Sequence, residues 1–161
     1  MALCPHLYTP KTTCLQSESY PEDEAASLQS IEKRIKEAKQ FFVLAQIKGH
    51  NKIVGFVNGT LTSSSALTHE SMFSHEPQGS MLCIHSVVVE KTHRRKGFAA
   101  EMLMSYLKRI SAFENIRDVR LICKKHLISL YEKVGFQLVG PSAVVHGKDQ
   151  WFEMMFQVIP V

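Results

Sequence analysis

The chain is 161 residues long, 45% hydrophobic, and carries 19 basic against 15 acidic residues for a net charge of +4. That length suits one domain burying roughly two thirds of its unfolded surface, and the composition argues against disorder. So mild a basic excess fits an anionic small ligand and gives no reason to invoke nucleic acid, since no aromatic-basic alternation surrounds the charges. No apolar run nears the ~18 residues that span a bilayer, and no signal-peptide core opens the chain. The four cysteines, Cys4, Cys14, Cys83 and Cys123, form no C-x-x-C pair, so a reduced, cytoplasmic protein without a metal site is expected.

In chain order, residues 1–19 mix Pro, Thr, Ser and Gln without periodicity and read as an irregular or mobile segment, with the domain proper over 20–161. Pro21-Glu22-Asp23-Glu24 places acids where a helix dipole favours them, and Leu28, Ile31, Ile35 and Ala38 follow at helical spacing. A helix over about 22–40 is predicted. Phe41–Ile47 and Ile53–Leu61 flank a polar turn and read as an antiparallel hairpin. The polar stretch 62–80 is a long connection, either a substrate lid or a passive surface loop with a short helix near Glu70–Phe73.

Met81–Val89 reads as the central strand, and Met102, Leu103, Tyr106, Leu107 and Ile110 define one face of the helix after Gly97. Val119–Cys123 is a further strand, and Leu127–Val134 a short helix stopped by Gly135. Phe136–Val139 and Trp151–Val158 form a last hairpin. The sum is a single-domain α/β fold with a mixed central sheet flanked by helices.

One stretch carries chemistry before any comparison. Val87-Val88-Val89 ends a β-branched strand, a basic turn follows through Arg94, Arg95, Lys96 and Gly97, and Phe98-Ala99-Ala100 opens a helix. The free N–H groups of a helix's first turn, its dipole and a glycine that admits positive φ together make a pyrophosphate cradle.

These residues resemble the GNAT acyl-CoA N-acyltransferases, whose acetyl-CoA signature Q/R-x-x-G-x-G/A is filled by Arg94, Gly97 and Ala99. Tyr131-Glu132-Lys133-Val134-Gly135-Phe136 is similar to the family's Y-x-x-x-G-F element. The segment Tyr20-Pro21-Glu22-Asp23-Glu24-Ala25-Ala26-Ser27 and the stretch from Val139 to Met154 resemble the arylalkylamine N-acetyltransferase branch. Two departures stand out. The family's first strand is here degenerate, rebuilt from residues 2–8, or absent. Of a histidine pair common in the branch's central strand, Cys83-Ile84-His85 keeps the second only.

The resemblance implies acetyl-CoA as acyl donor, held by main-chain groups of Val87, Val88 and Val89 and by Arg94, Arg95, Lys96, Gly97, Phe98, Ala99 and Ala100. His85 is the candidate base or base relay, since an imidazole is often neutral at pH 7. Tyr131 is the candidate acid that protonates the departing thiolate. Tyr20, Pro21, Cys83 and Trp151 are the candidate acceptor-binding residues, with Cys83 a small pocket-lining group rather than a nucleophile. The expected partner is a small primary amine, an arylalkylamine first and a polyamine second, with neither nucleic acid nor membrane involved. A protein or peptide acceptor, or an acyl-CoA-binding module with little turnover, are the alternatives.

Overall fold

The structure is a computed structural model that describes residues 5–159, with side chains from Thr9 onward. Six strands, β1 (Phe42–Gln46), β2 (Ile53–Thr62), β3 (Met81–Val89), β4 (Asp118–Cys123), β5 (Gln137–Pro141) and β6 (Phe152–Gln157), form one sheet in the order β1-β2-β3-β4-β6-β5. The β3–β4 pair is parallel and the other pairs are antiparallel. Four helices accompany it: α1 (Pro5–Ser17), α2 (Leu28–Glu37), α3 (Phe98–Ile110) and α4 (Ile128–Lys133). None is long and apolar enough to cross a membrane.

Both sheet faces are covered, so the central strands read as nearly unbroken apolar runs rather than alternating ones. On one face Val57, Leu61, Leu82 and Ile84 pack with Leu103, Tyr106 and Ile110 of α3 and Tyr131 of α4. The buried Tyr106 hydroxyl donates to the Phe41 carbonyl at 2.9 Å. On the other face Phe56 and Val88 meet Leu15 of α1 and Ile31 and Ile35 of α2. The expected hairpin, central strand, α3 and closing hairpin are all present, and Gly135, at φ +101°, follows α4 as expected of its C-cap.

Two irregularities in the sheet shape the site. Asn58 pairs with Ser86 and Gly59 with Ile84, so the register skips His85, the extra residue of a β-bulge. Ile84 and Val87 both pack on the α3 face, while the intervening His85 and Ser86 are displaced from that alternation. β3 also pairs with β4 over Met81–Cys83 and Asp118–Arg120 alone. From Ile84 onward β3 leaves β4, which stays paired with β6 as far as Cys123. The C-terminal half of β3 therefore has an open main-chain edge toward β4.

Near the N-terminus the structure departs from the sequence reading. The segment expected to be irregular holds α1, packed on α2, β2 and β3. Among its described side chains the buried ones are Thr9, Thr12, Leu15 and Gln16, at helical spacing but mostly polar, so hydrophobic periodicity could not reveal them. The Thr12 and Thr13 hydroxyls satisfy themselves on the Thr9 carbonyl at 3.0 and 2.8 Å. Residues 5–8 being helical, no strand is rebuilt from them, and residues 1–4 lie outside the described part. The second helix is shorter than the predicted 22–40. Pro21–Ala25 forms a tight turn closed by bonds from Glu24 and Ala25 N–H to the Pro21 carbonyl, both 2.9 Å. Ser27 then caps α2 by accepting the Ser30 N–H at 3.2 Å. Of the acids before Ser27, Glu24 pairs with Lys124, and none lies in the first turn of α2.

Leu15→Ala tests whether α1 is an integral layer. Loss of a fully buried side chain there should cost about 2–5 kcal/mol in urea denaturation, whereas an undocked segment would cost almost nothing.

Candidate active site

The turn after β3 is built as an anion cradle. Arg95 takes φ +62° and Gly97 takes φ +86°, ψ −9° as the N-cap of α3, with no side chain capping the helix. The N–H groups of Phe98, Ala99 and Ala100 thus lack a side-chain acceptor at an end where the dipole favours negative charge. Arg95 and Lys96 are exposed beside it. Arg94 is employed differently from the simple charge that was expected. Its Nε donates to the Val89 carbonyl at 2.9 Å, and its Nη2 to Ser19 Oγ at 2.9 Å, clamping the end of α1 to the end of β3.

Two cavities lie on either side of Tyr20. One, of about 470 Å³, is lined by Tyr131, Cys123, Lys124, Pro21 and Trp151. The other, of about 270 Å³, is lined by His85, Arg34, Gln16, His146 and Trp151. Tyr20, Glu24, Ile122 and Trp151 border both and form the wall between them. Burial pushes the Tyr20 phenol pKa up, and a hydrogen bond with the Val87 main chain partly offsets this. The wall thus touches the strand edge that β4 leaves open.

The two candidate proton carriers face different cavities. His85 Nε2 shares a 2.7 Å hydrogen bond with Thr60 Oγ1, and its Nδ1 is buried without a partner. Burial, and secondarily the Arg34 charge, holds the imidazole well below its ordinary pKa, so it is neutral at pH 7. Tyr131, stacked edge-on against Phe136, has its phenol pushed well above the usual value by burial, with Tyr20 adding to the effect. It stays protonated and can donate.

Cys83 does not line the pocket as expected. It is fully buried in a cluster with Leu67, Met81 and Val144 beneath the 62–80 loop, which carries the expected short helix as a turn at Glu70–Met72. Burial raises its thiol to about 12, so it is no thiolate. Cys83 and His85 share the sheet face opposite α3, but Leu67 and Val144 cover Cys83 while His85 opens into the cavity.

Trp151 joins a roof over the cavities. Its Nε1–H donates to the His146 carbonyl, and His146 Nε2–H donates to the Glu24 carbonyl at 2.9 Å. Lys124 bonds Glu24 Oε1 and, at 2.9 Å, Asp149 Oδ2, with its ammonium 4.3 Å from the Trp151 ring centroid. The cation on the Trp151 face is therefore the protein's own. Gly147, at φ +68°, passes so close that a Cβ would sit 2.8 Å from Glu24 Cγ.

Sequence reasoning missed Arg34, Glu24 and Lys124. Arg34 had a signal: it follows Ile31 by three residues and precedes Ala38 by four, which puts a charge on the buried stripe of α2. Glu24 and Lys124 are 100 residues apart and had none.

A parallel strand pair that parts beside an uncapped helix N-terminus suits an acyl-CoA-binding fold. Residues 5–136 match the acetyltransferase (GNAT) family, and the chain belongs to it. It is 35% identical over 103 residues to serotonin N-acetyltransferase of Mesocricetus auratus, covering 64% of this chain and 50% of that one. The chain spans about half the length of the curated relatives it matches. Among solved structures, a GphF GNAT-like decarboxylase in complex with isobutyryl-CoA superposes with a TM-score of 0.82 at 14% identity, over 98% of this chain and 97% of that one. A GNAT-family acetyltransferase from Streptococcus pneumoniae gives 0.70 at 18%, over 99% and 98%. At these identities the structural likeness concerns the fold.

Two measurements check the site. Trp151 is the single tryptophan, so Lys124→Met should loosen the roof and shift the intrinsic fluorescence to the red; unchanged emission would show that the roof holds without the lysine. The second concerns pH. Folding lowers the His85 pKa, so below about 6.5 the unfolded chain binds a proton that the native state refuses. Stability contributed by neutral His85 is complete above that value and is lost as pH falls below it. Denaturation at pH 7.5 and 5.5 should show a smaller acid loss in His85→Gln than in the wild type, by up to about 1.4 kcal/mol per pH unit.

Proposed function

We propose that this chain is an acetyl-CoA-dependent N-acetyltransferase acting on the primary amine of a small molecule, by direct attack in a ternary complex. The observation that carries this reading is the position of Tyr20 and the open β3 edge between two cavities that each hold one proton carrier of suitable state. Acetyl-CoA is the acyl donor. Main-chain N–H groups from Arg95 to Ala100 fit its pyrophosphate, and the free edge of Val87, Val88 and Val89 fits the pantetheine as an added strand. A main-chain donor on that edge polarises the thioester carbonyl.

The amine occupies the His85 cavity. Neutral His85, bonded to Thr60, takes up the ammonium proton directly or through water. The freed amine attacks the thioester carbon, the C–S bond breaks, Tyr131 gives its proton to the leaving thiolate, and the second proton shed by the new amide nitrogen returns through water to the tyrosinate. An arylalkylamine is the first class to test, because Trp151 and Tyr20 line the cavity and because the relative named above is a serotonin N-acetyltransferase.

Tyr131→Phe should lower kcat by about 10²-fold in a thiol-release assay while leaving the Kd for CoA within about twofold. No thiol release with any primary amine between pH 6 and 9 by the wild type, alongside intact CoA binding, would replace the enzyme with a binding module.

A further inference from the structure

Four residues lining the His85 cavity each hold a buried polar atom without a hydrogen-bond partner: Gln16 Oε1, Glu24 Oε2, Arg34 Nη1 and His85 Nδ1. They are four of the eight such atoms among the described residues, which concentrates unmet polarity in one place. Arg34 is the costly one. Its Nη2 reaches the Met72 carbonyl at 3.5 Å, and no described carboxylate lies within salt-bridge distance of its guanidinium. Glu24, the acid that shares the cavity, is already paired through Oε1 with Lys124.

An arginine stays charged at any working pH, and this half-buried guanidinium, with Nη1 out of reach of solvent, is better satisfied once an anion arrives. Its planar fork matches a carboxylate, which can accept two parallel N–H bonds. A bare cationic amine entering this cavity would meet an unbalanced positive charge. An acceptor that brings its own anion would cancel it. In an α-amino acid the two groups are separated by a single carbon, so a carboxylate on Arg34 leaves the amine close by, and Arg34 is near enough to His85 for its field to be felt there.

We propose, resting on the acetyltransferase reading above, that the acceptor is a zwitterionic amine of the α-amino-acid class, its carboxylate docked on Arg34 and its amine toward His85. Arg34 is then the residue that sets acceptor specificity, and Glu24 Oε2 and Gln16 Oε1 are acceptors for polar hydrogens of the same molecule.

The test uses matched pairs that differ by the carboxylate: tryptophan and tryptamine, phenylalanine and phenylethylamine, ornithine and putrescine. With acetyl-CoA and wild-type protein, the carboxylated members should show the higher kcat/KM by about tenfold or more. Arg34→Gln should abolish that preference by raising KM for the acids relative to KM for the bare amines. Preference for the bare amines in the wild type, or a preference for acids that survives Arg34→Gln, overturns the proposal. Calorimetric binding of the same six compounds to the wild type, with and without CoA, needs neither turnover nor a folded variant. Tighter binding of the acids without thiol release supports the acceptor class while removing the enzyme reading; equal, weaker or absent binding of the acids overturns the acceptor class. Acetylation confined to bare amines leaves the enzyme reading standing and removes this one.

Discussion

The register of β3 skips His85, and from the neighbouring residue onward β3 and β4 pull apart. Most of what the site can do descends from that local fault. A bulge inserts one residue, increases twist and redirects side chains. Here His85 keeps the face opposite Ile84, bonded to Thr60 and within reach of the Arg34 field, and the extra residue returns Val87 to the α3 side of the core. The strand edge that β4 abandons is left with main-chain groups facing a gap, which a folded domain tolerates when a ligand or side chain can use them. Tyr20 already does so at Val87.

The separation is stable because each strand is held by something else. β4 stays in register with β6 to its end, and Arg120, at the last position paired with β3, is tied to Asp118 at 2.7 Å and Glu153 at 2.9 Å. β3 is held by β2 along its length, and its end is fastened by Arg94 to the close of α1. Above the gap, Lys124 draws together the turn before α2 and the loop before β6 through Glu24 and Asp149. The roof is thus made from three segments distant in sequence. The cavity beneath it holds four buried polar atoms without partners, on Gln16, Glu24, Arg34 and His85.

Much of the fold could be read from periodicity. The hairpin β1–β2, the central strand, α3 and the closing hairpin carry apolar patterns whose period depends only on which faces are buried. The cradle was equally plain, because strand, basic turn, glycine and helix start are contiguous in the chain. The readings that failed share a cause. α1 hides because its buried stripe is made of Thr9, Thr12 and Gln16 around Leu15, and a polar stripe has no hydrophobic signature. The predicted start of α2 at the acids near Pro21 gave way because Glu24 is claimed by Lys124. Cys83 and His85, two apart in a strand, promised a shared pocket, and the layer of Leu67 and Val144 over Cys83 ended that equivalence.

By itself, then, the sequence determined the mixed sheet and the contiguous strand, basic turn and helix start, because each rests on local spacing or a contiguous motif, and the family resemblance added two candidates, His85 and Tyr131. Tertiary structure alone decided the protonation of those two groups, the structural employment of Arg94, and the meeting of Arg34, Glu24 and Lys124 around one cavity. The physical reason is that charge states and unpaired polar atoms are properties of surroundings. Burial and neighbours from remote segments set them, and no window of consecutive residues contains that information.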